Sequence, residues 1–186
     1  RETDREVWIT GVGVVLPGAV GNQRFLTLLN QRNDAPLTQD TGGLEQIDLE
    51  SLPSARRVRR MSDYVKLTLA AASLAYEDAH VEDVEAFGEY SSGVLATTHG
   101  ATGFCEKYYR QIIQDGLAAA NPLLFAEGVP NVAGAHLSTT MSIRGLSQTV
   151  IGTRTAGIDA LILAAHRLRT GVWTRAVVCA ADEYAP

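Results

Sequence analysis

Apolar positions along the chain fall into short β-branched bursts separated by longer rows at helical spacing. Residues 7–15, VWITGVGVV, are dense in β-branched side chains and end at Pro17-Gly18, which predicts a buried first strand. Asn22 is placed to cap a helix over residues 23–31, with Phe25, Leu28 and Leu29 on its inner face. The polar stretch 33–57 carries DTGG and LPS and predicts irregular turns. Ser62 then opens a second helix, MSDYVKLTLAAASLAYEDAHV, in which Val65, Leu69, Ala72 and Tyr76 recur on one face.

The second part of the chain repeats the alternation. SGVLATT (92–98) predicts a strand, Gly100 and Gly103 a bend into a helix over 104–117, and NPLLFAEGVPN a loop. Residues 132–142 read as a helix with Gly134 as a close packing point, 146–151 as a strand, 155–170 as a helix and 177–181 as a last strand. Strands alternating with helices predict one α/β domain over 1–186 with a largely parallel sheet.

The helix at 155–170 imposes a further constraint. Ala156, Ile158, Ala160, Leu161, Ile162, Leu163, Ala164 and Ala165 leave almost no polar face in its first two-thirds. A helix apolar all round is expected to be buried all round, so one sheet face does not suffice and another half or another chain must cover the rest.

Composition narrows the function classes. The 186 residues are 46% hydrophobic and 20% charged, with a formal net charge of −5. That balance offers no basic field for a phosphate backbone, so no nucleic-acid partner is expected, and the run Arg56, Arg57, Arg59, Arg60 reads as a solvated face or a contact for one acidic partner. Cys105 and Cys179 stand far apart without ligand-spaced neighbours, which predicts neither a disulfide framework nor a metal site and suits a cytoplasmic setting. His80, His99, His136 and His166 are scattered over separate elements. No apolar run reaches the roughly 18 residues of a membrane span. Gly11-Val12-Gly13 follows a strand pattern, but Leu16 stands where a dinucleotide fingerprint needs its third glycine. Close approach of the backbone to a neighbouring helix explains these glycines better.

The chemistry-bearing motif is the corner Gly152-Thr153-Arg154-Thr155-Ala156 between a predicted strand and a predicted helix. Its outline is that of a nucleophile elbow, where an exposed residue at a helix N-terminus meets backbone N–H groups. Here that residue is Arg154, which is neither a nucleophile nor a base. A cation there opposes the helix dipole, so a carboxylate is expected to offset it, with Asp159, Asp182 and Glu183 as candidates; a plain surface turn is the alternative.

Five segments in order, VWITGVGVVLP, RRMSDYVKLTLAAASLAYEDA, SGVLATTHGATGF, NPLLFAEGVPNVAGAHLSTTMSIRGLSQTV and AGIDALILAAHRLRTGVWTRAVVCAADE, resemble the N-terminal half of a β-ketoacyl synthase. The resemblance implies an α/β fold, the N-terminal half of a thiolase-like fold, with a mixed, mostly parallel sheet and helices on both faces. It also places Arg154 at the position of the family's active-site cysteine, which takes an acyl chain from an acyl carrier protein; the family's two assisting histidines belong to its C-terminal half. It therefore implies no catalytic residue and no cofactor in this chain. The implied role is that of a chain length factor, which lacks the cysteine and pairs with a catalytic ketosynthase subunit as a heterodimer. Leu146 to Gly152 would then form the interface, with Thr153, Arg154 and Thr155 at the elbow. Phe104, Tyr108, Tyr109, Ile112, Phe125 and Asn131 would lie beside the partner's acyl tunnel. An N-terminal fragment or subunit of a longer ketosynthase-like acyltransferase is the alternative.

Overall fold

The computed structural model describes residues 5–30 and 58–183. The turns predicted at 33–57, the end of the first predicted helix, and Arg56 and Arg57 lie outside them. In chain order the elements are β1 (Val15–Leu16), β2 (Ala19–Val20), α1 (Asn22–Asn30), α2 (Asp63–Asp78), α3 (Val84–Glu89), β3 (Ser91–Thr97), α4 (Thr102–Asp115), a 3-10 turn (Leu117–Ala119), α5 (Pro122–Gly128), α6 (Val132–Thr140), β4 (Ser147–Ile151), α7 (Ala156–Arg169) and β5 (Arg175–Ala180).

The order β4-β3-β5 forms a three-stranded, wholly parallel sheet, in which Val94 faces Gln148 on one side and Val178 on the other. Every residue of β3 is buried, as a central parallel strand covered on both faces requires. Its alternate side chains serve two cores. Leu95 packs with Val65, Leu69, Tyr64 and Leu137 on the side of α2 and α6, whereas Val94 and Ala96 pack with Ala156, Ala160, Ala164 and Trp173 on the side of α7. The result is a helix–sheet–helix layering. The predicted α/β class, parallel sheet and two-sided helices are therefore all present.

The second predicted helix begins as expected: Ser62 Oγ accepts the Val65 N–H at 3.3 Å, and Val65, Leu69, Ala72 and Tyr76 are all buried. Each of the larger ones contributes about 1.5–3 kcal/mol by leaving water. Gly134 is a tight packing point against the sheet, since a Cβ there would sit 3.3 Å from Thr149 Oγ1.

Four expectations need correction. Residues 7–14 belong to no strand of the described sheet; in this stretch Val15–Leu16 pairs, with β2, and Trp8 and Ile9 are 76% and 77% exposed. Glycine explains its position: a Cβ at Gly11 would meet Ala75 O at 2.3 Å and one at Gly13 would meet Ala71 O at 2.0 Å, so the segment lies directly on α2. Asn22 is the first residue of α1 and does not cap it, because its Nδ2 donates to Val12 O. Leu29 is exposed and not on an inner face. The loop predicted at NPLLFAEGVPN contains a helix, α5, with Asn121 Oδ1 accepting the Leu123 N–H and Pro122 in the first turn.

Candidate functional site

In a parallel sheet, the loops that follow the strands collect at one edge, where such folds place their sites. Here that edge gathers the loop after β3 (Thr98, His99, Gly100), the corner after β4 (152–155) and the pair Asp182–Glu183 after β5. The start of α4 and the turn before α6 join them: a Cβ at Gly100, whose φ is +69°, would lie 3.2 Å from Pro130, and Tyr64 Oη donates to Pro130 O at 3.0 Å.

The corner is held by its own threonines. Gly152 N–H donates to Thr97 O at 3.1 Å, and Thr98 Oγ1 donates to Thr153 O at 3.4 Å. The hydroxyls of Thr153 and Thr155 lie 3.1 Å apart, and Thr155 Oγ1 donates to Asp159 Oδ2 at 3.3 Å. Arg154 is exposed and makes none of these bonds. Among the described residues the positive φ values outside glycine are at His80 and Ser142, so the corner has the outline of a nucleophile elbow without left-handed strain at its apex.

Among the described residues no carboxylate pairs with Arg154, contrary to expectation. Asp159 is bound to Thr155, and the other two candidates are committed to backbone. Asp182 accepts from Thr97 Oγ1 at 2.7 Å, from Thr98 N–H at 2.9 Å and from His99 N–H at 2.8 Å. Partial burial pushes its pKa up, but these bonds outweigh that and hold it below the ordinary carboxylate value. Glu183 accepts from Tyr64 N–H at 3.0 Å, Gly103 N–H at 2.5 Å and Thr102 Oγ1 at 3.1 Å, so one carboxylate serves the N-termini of both α2 and α4. Arg154 is exposed, so solvent screens the cation at the corner.

The expected tunnel residues separate into two groups. Tyr108 is half-buried between Tyr109 and Phe125, each ring 5.6 Å from its own, and Phe104 lies one turn earlier against the main core. Tyr109 and Phe125 are 62% and 57% exposed, and Ile112 is half-buried. Asn131 stands exposed at the start of α6 without a capping bond from its side chain. Thr153 and Thr155 make their hydrogen bonds to each other, to Thr98 in the loop after β3 and to Asp159 of α7, not to the aromatic group.

Neither cysteine is at the corner. Cys179 is buried in β5 and burial pushes its thiol up to about 12; burial and then the Glu183 charge also raise Cys105, whose Sγ donates to Gly128 O at 3.0 Å. Among the described residues no cluster of His, Cys, Asp and Glu could hold a metal ion.

The apolar helix α7 turns its alanines to the sheet. Ala156, Ala160 and Ala164 are buried, while Ile158, Leu161 and Ile162 are 59%, 50% and 62% exposed. Leu146, just before β4, and Ile151, its last residue, are exposed as well.

Residues 45–185 match the family model "Beta-ketoacyl synthase, N-terminal domain". The chain belongs to the β-ketoacyl synthase family. Among curated relatives, "Putative polyketide beta-ketoacyl synthase 1" of Streptomyces halstedii is 30% identical over 95% of this chain. The chain spans 45% of that relative's length. Solved structures share the fold: "The ishigamide ketosynthase/chain length factor" superposes with a TM-score of 0.75 at 21% identity, covering 95% of this chain and 52% of its own. A type II polyketide synthase acyl carrier protein in complex with its ketosynthase superposes with a TM-score of 0.69 at 16% identity, covering 89% and 48%.

Sequence reasoning missed the roles of Asp182 and Glu183 and the hydrogen bond between Glu127 and His136. It also missed α3, whose signal was present in Asp83: its side chain accepts the Ala86 N–H at 2.9 Å.

Proposed function

We propose that this chain is a non-catalytic, chain length factor-like subunit that pairs with a catalytic ketosynthase and shapes the tunnel receiving acyl chains from an acyl carrier protein. The observation that carries the reading is Arg154: the strand-to-helix corner is intact, yet its apex is a guanidinium with no route to nucleophilic chemistry. The exposed row Leu146, Ile151, Ile158, Leu161 and Ile162 beside that corner supports it, being an apolar surface suited to a partner. "The ishigamide ketosynthase/chain length factor", which shares the fold, is in keeping with that reading.

The test is to produce the chain alone and together with a ketosynthase from the same organism, then measure complex formation and condensation. The reading expects no condensation from this chain alone and gained activity in the pair. Condensation by the chain alone would sink it. A second reading, in which the chain is the N-terminal part of a longer ketosynthase-like acyltransferase, is favoured by its coverage of 45% of the curated relative. It predicts activity only when a C-terminal half is joined or added.

A further inference from the structure

Helix α5 carries Phe125, half of the aromatic wall, and packs on α4 and α6. Two bonds join it to α4: Asn121 N–H donates to Gln111 Oε1 at 3.1 Å and Cys105 Sγ donates to Gly128 O at 3.0 Å. No residue of α4 is fully buried, and beyond its first turn, which Glu183 and the packing of Phe104 hold, it is a weaker anchor than α6. The side-chain bridge from α5 into the core runs from Glu127 to His136 of α6, with Nε2 and Oε1 3.0 Å apart. Helix α6 is firm: Val132, Ala133, Gly134 and Leu137 are buried against α2 and the sheet.

Glu127 is an expensive residue for such a bridge. It is only 9% exposed, and its second oxygen, Oε2, is buried without a protein hydrogen bond. A carboxylate left half-satisfied in a protein interior costs stability, and an apolar residue of similar size would fill the space more cheaply. What the bridge supplies is direction: it fixes one face of a short helix, two residues from Phe125, against a rigid one.

We infer that the Glu127–His136 pair is a positioning contact that sets where the Tyr108–Phe125 wall stands, and through it the length of acyl chain accommodated. The second half of this statement rests on the chain length factor-like reading. The pair touches no acyl chain in this assignment; it acts through α5.

The experiment compares His136→Leu, His136→Gln and Phe125→Ala in the chain co-produced with its ketosynthase, reading hydrogen exchange and product length. His136→Leu is expected to speed exchange of the 122–128 amides about tenfold while the β3 amides stay protected. Product length should broaden at unchanged total turnover, and His136→Gln, which restores a donor, should return both readouts toward the parent. Unchanged exchange and product length in His136→Leu, with Phe125→Ala still altering the product, would overturn the assignment. Equal acceleration of exchange in 122–128 and β3 would overturn it too, leaving only a stability role. If exchange in 122–128 quickens but neither variant alters the product, the length-setting half is overturned, and the fault lies in the chain length factor-like reading and not in the anchor.

Discussion

The carboxylate of Asp182 accepts the Thr97 hydroxyl at 2.7 Å, closing the end of β5 onto the end of β3. The same oxygen receives the His99 N–H at 2.8 Å, so the loop beside the corner is shaped by a residue on another strand. Because these bonds depress the folded-state pKa, their contribution is present above the unfolded value of 3.8 and is lost as pH falls through the folded value below it. Asp182→Asn should therefore lower stability at neutral pH by about 1–2 kcal/mol, discounted for exposure, and converge with the parent in acid. Urea midpoints at pH 7 and near pH 3 check this; a deficit of equal size at both would contradict it.

Gly13 has no room for a side chain, its Cβ position lying 2.0 Å from Ala71 O. Gly13→Ala should lift residues 7–14 from α2 at a cost of about 1–3 kcal/mol. Limited proteolysis would show the segment cut faster while β3 and β5 stay intact. Unaltered cleavage and an unaltered urea midpoint would mean the segment is not docked there.

These two sites show how far the sequence could be read. The alternation that predicted β3, α6, β4, α7 and β5 is a local signal, and those elements stand within a few residues of their predicted ends. Gly11 and Gly13 were read as close-approach points from their spacing alone, but their partner, the Ala71–Ala75 backbone, is set by tertiary contact. The same limit applies to Trp8 and Ile9: β-branched composition marks a strand-former, whereas pairing needs a neighbour, and the described sheet places β4 and β5 beside β3. Asp182 and Glu183 were expected to offset Arg154; they instead hold the loop after β3 and the N-termini of α2 and α4. Their donors, more than 79 residues away in the chain, were beyond any spacing argument.

Arg154 makes no bond that the fold depends on, so Arg154→Ala should leave thermal stability within about 0.5 kcal/mol. Under the proposed function it should weaken the heterodimer, measured by analytical ultracentrifugation against the ketosynthase. A variant that pairs and works like the parent would remove Arg154 from the interface.

The two thiols offer a direct check on packing. Burial raises both pKa values, Cys179 to about 12, so a disulfide-exchange reagent at pH 8 should leave Cys179 unmodified and label Cys105 more slowly than a free thiol. After urea both should react at once. Rapid native labelling of Cys179 would show that β5 is less enclosed than described.

Exchanging Phe125 for Ala in the paired complex should lengthen the product, because its ring closes on Tyr108 at 5.6 Å and truncation opens that space. Mass spectrometry of released chains gives the answer. An unchanged distribution would place the tunnel floor elsewhere.

Helix α7 presents its alanines inward and Ile158, Leu161 and Ile162 outward, so the larger greasy side chains are on show and the smaller ones hidden. A surface of that kind is indifferent to identity: it adheres to a correct mate, to another copy of itself or to a stalled folding intermediate, whichever arrives first. Supply then becomes part of the architecture. Under the proposed pairing, a cell making this chain in excess of its mate would leave α7 bare and accumulate clumps, so matched synthesis would be a condition of its working.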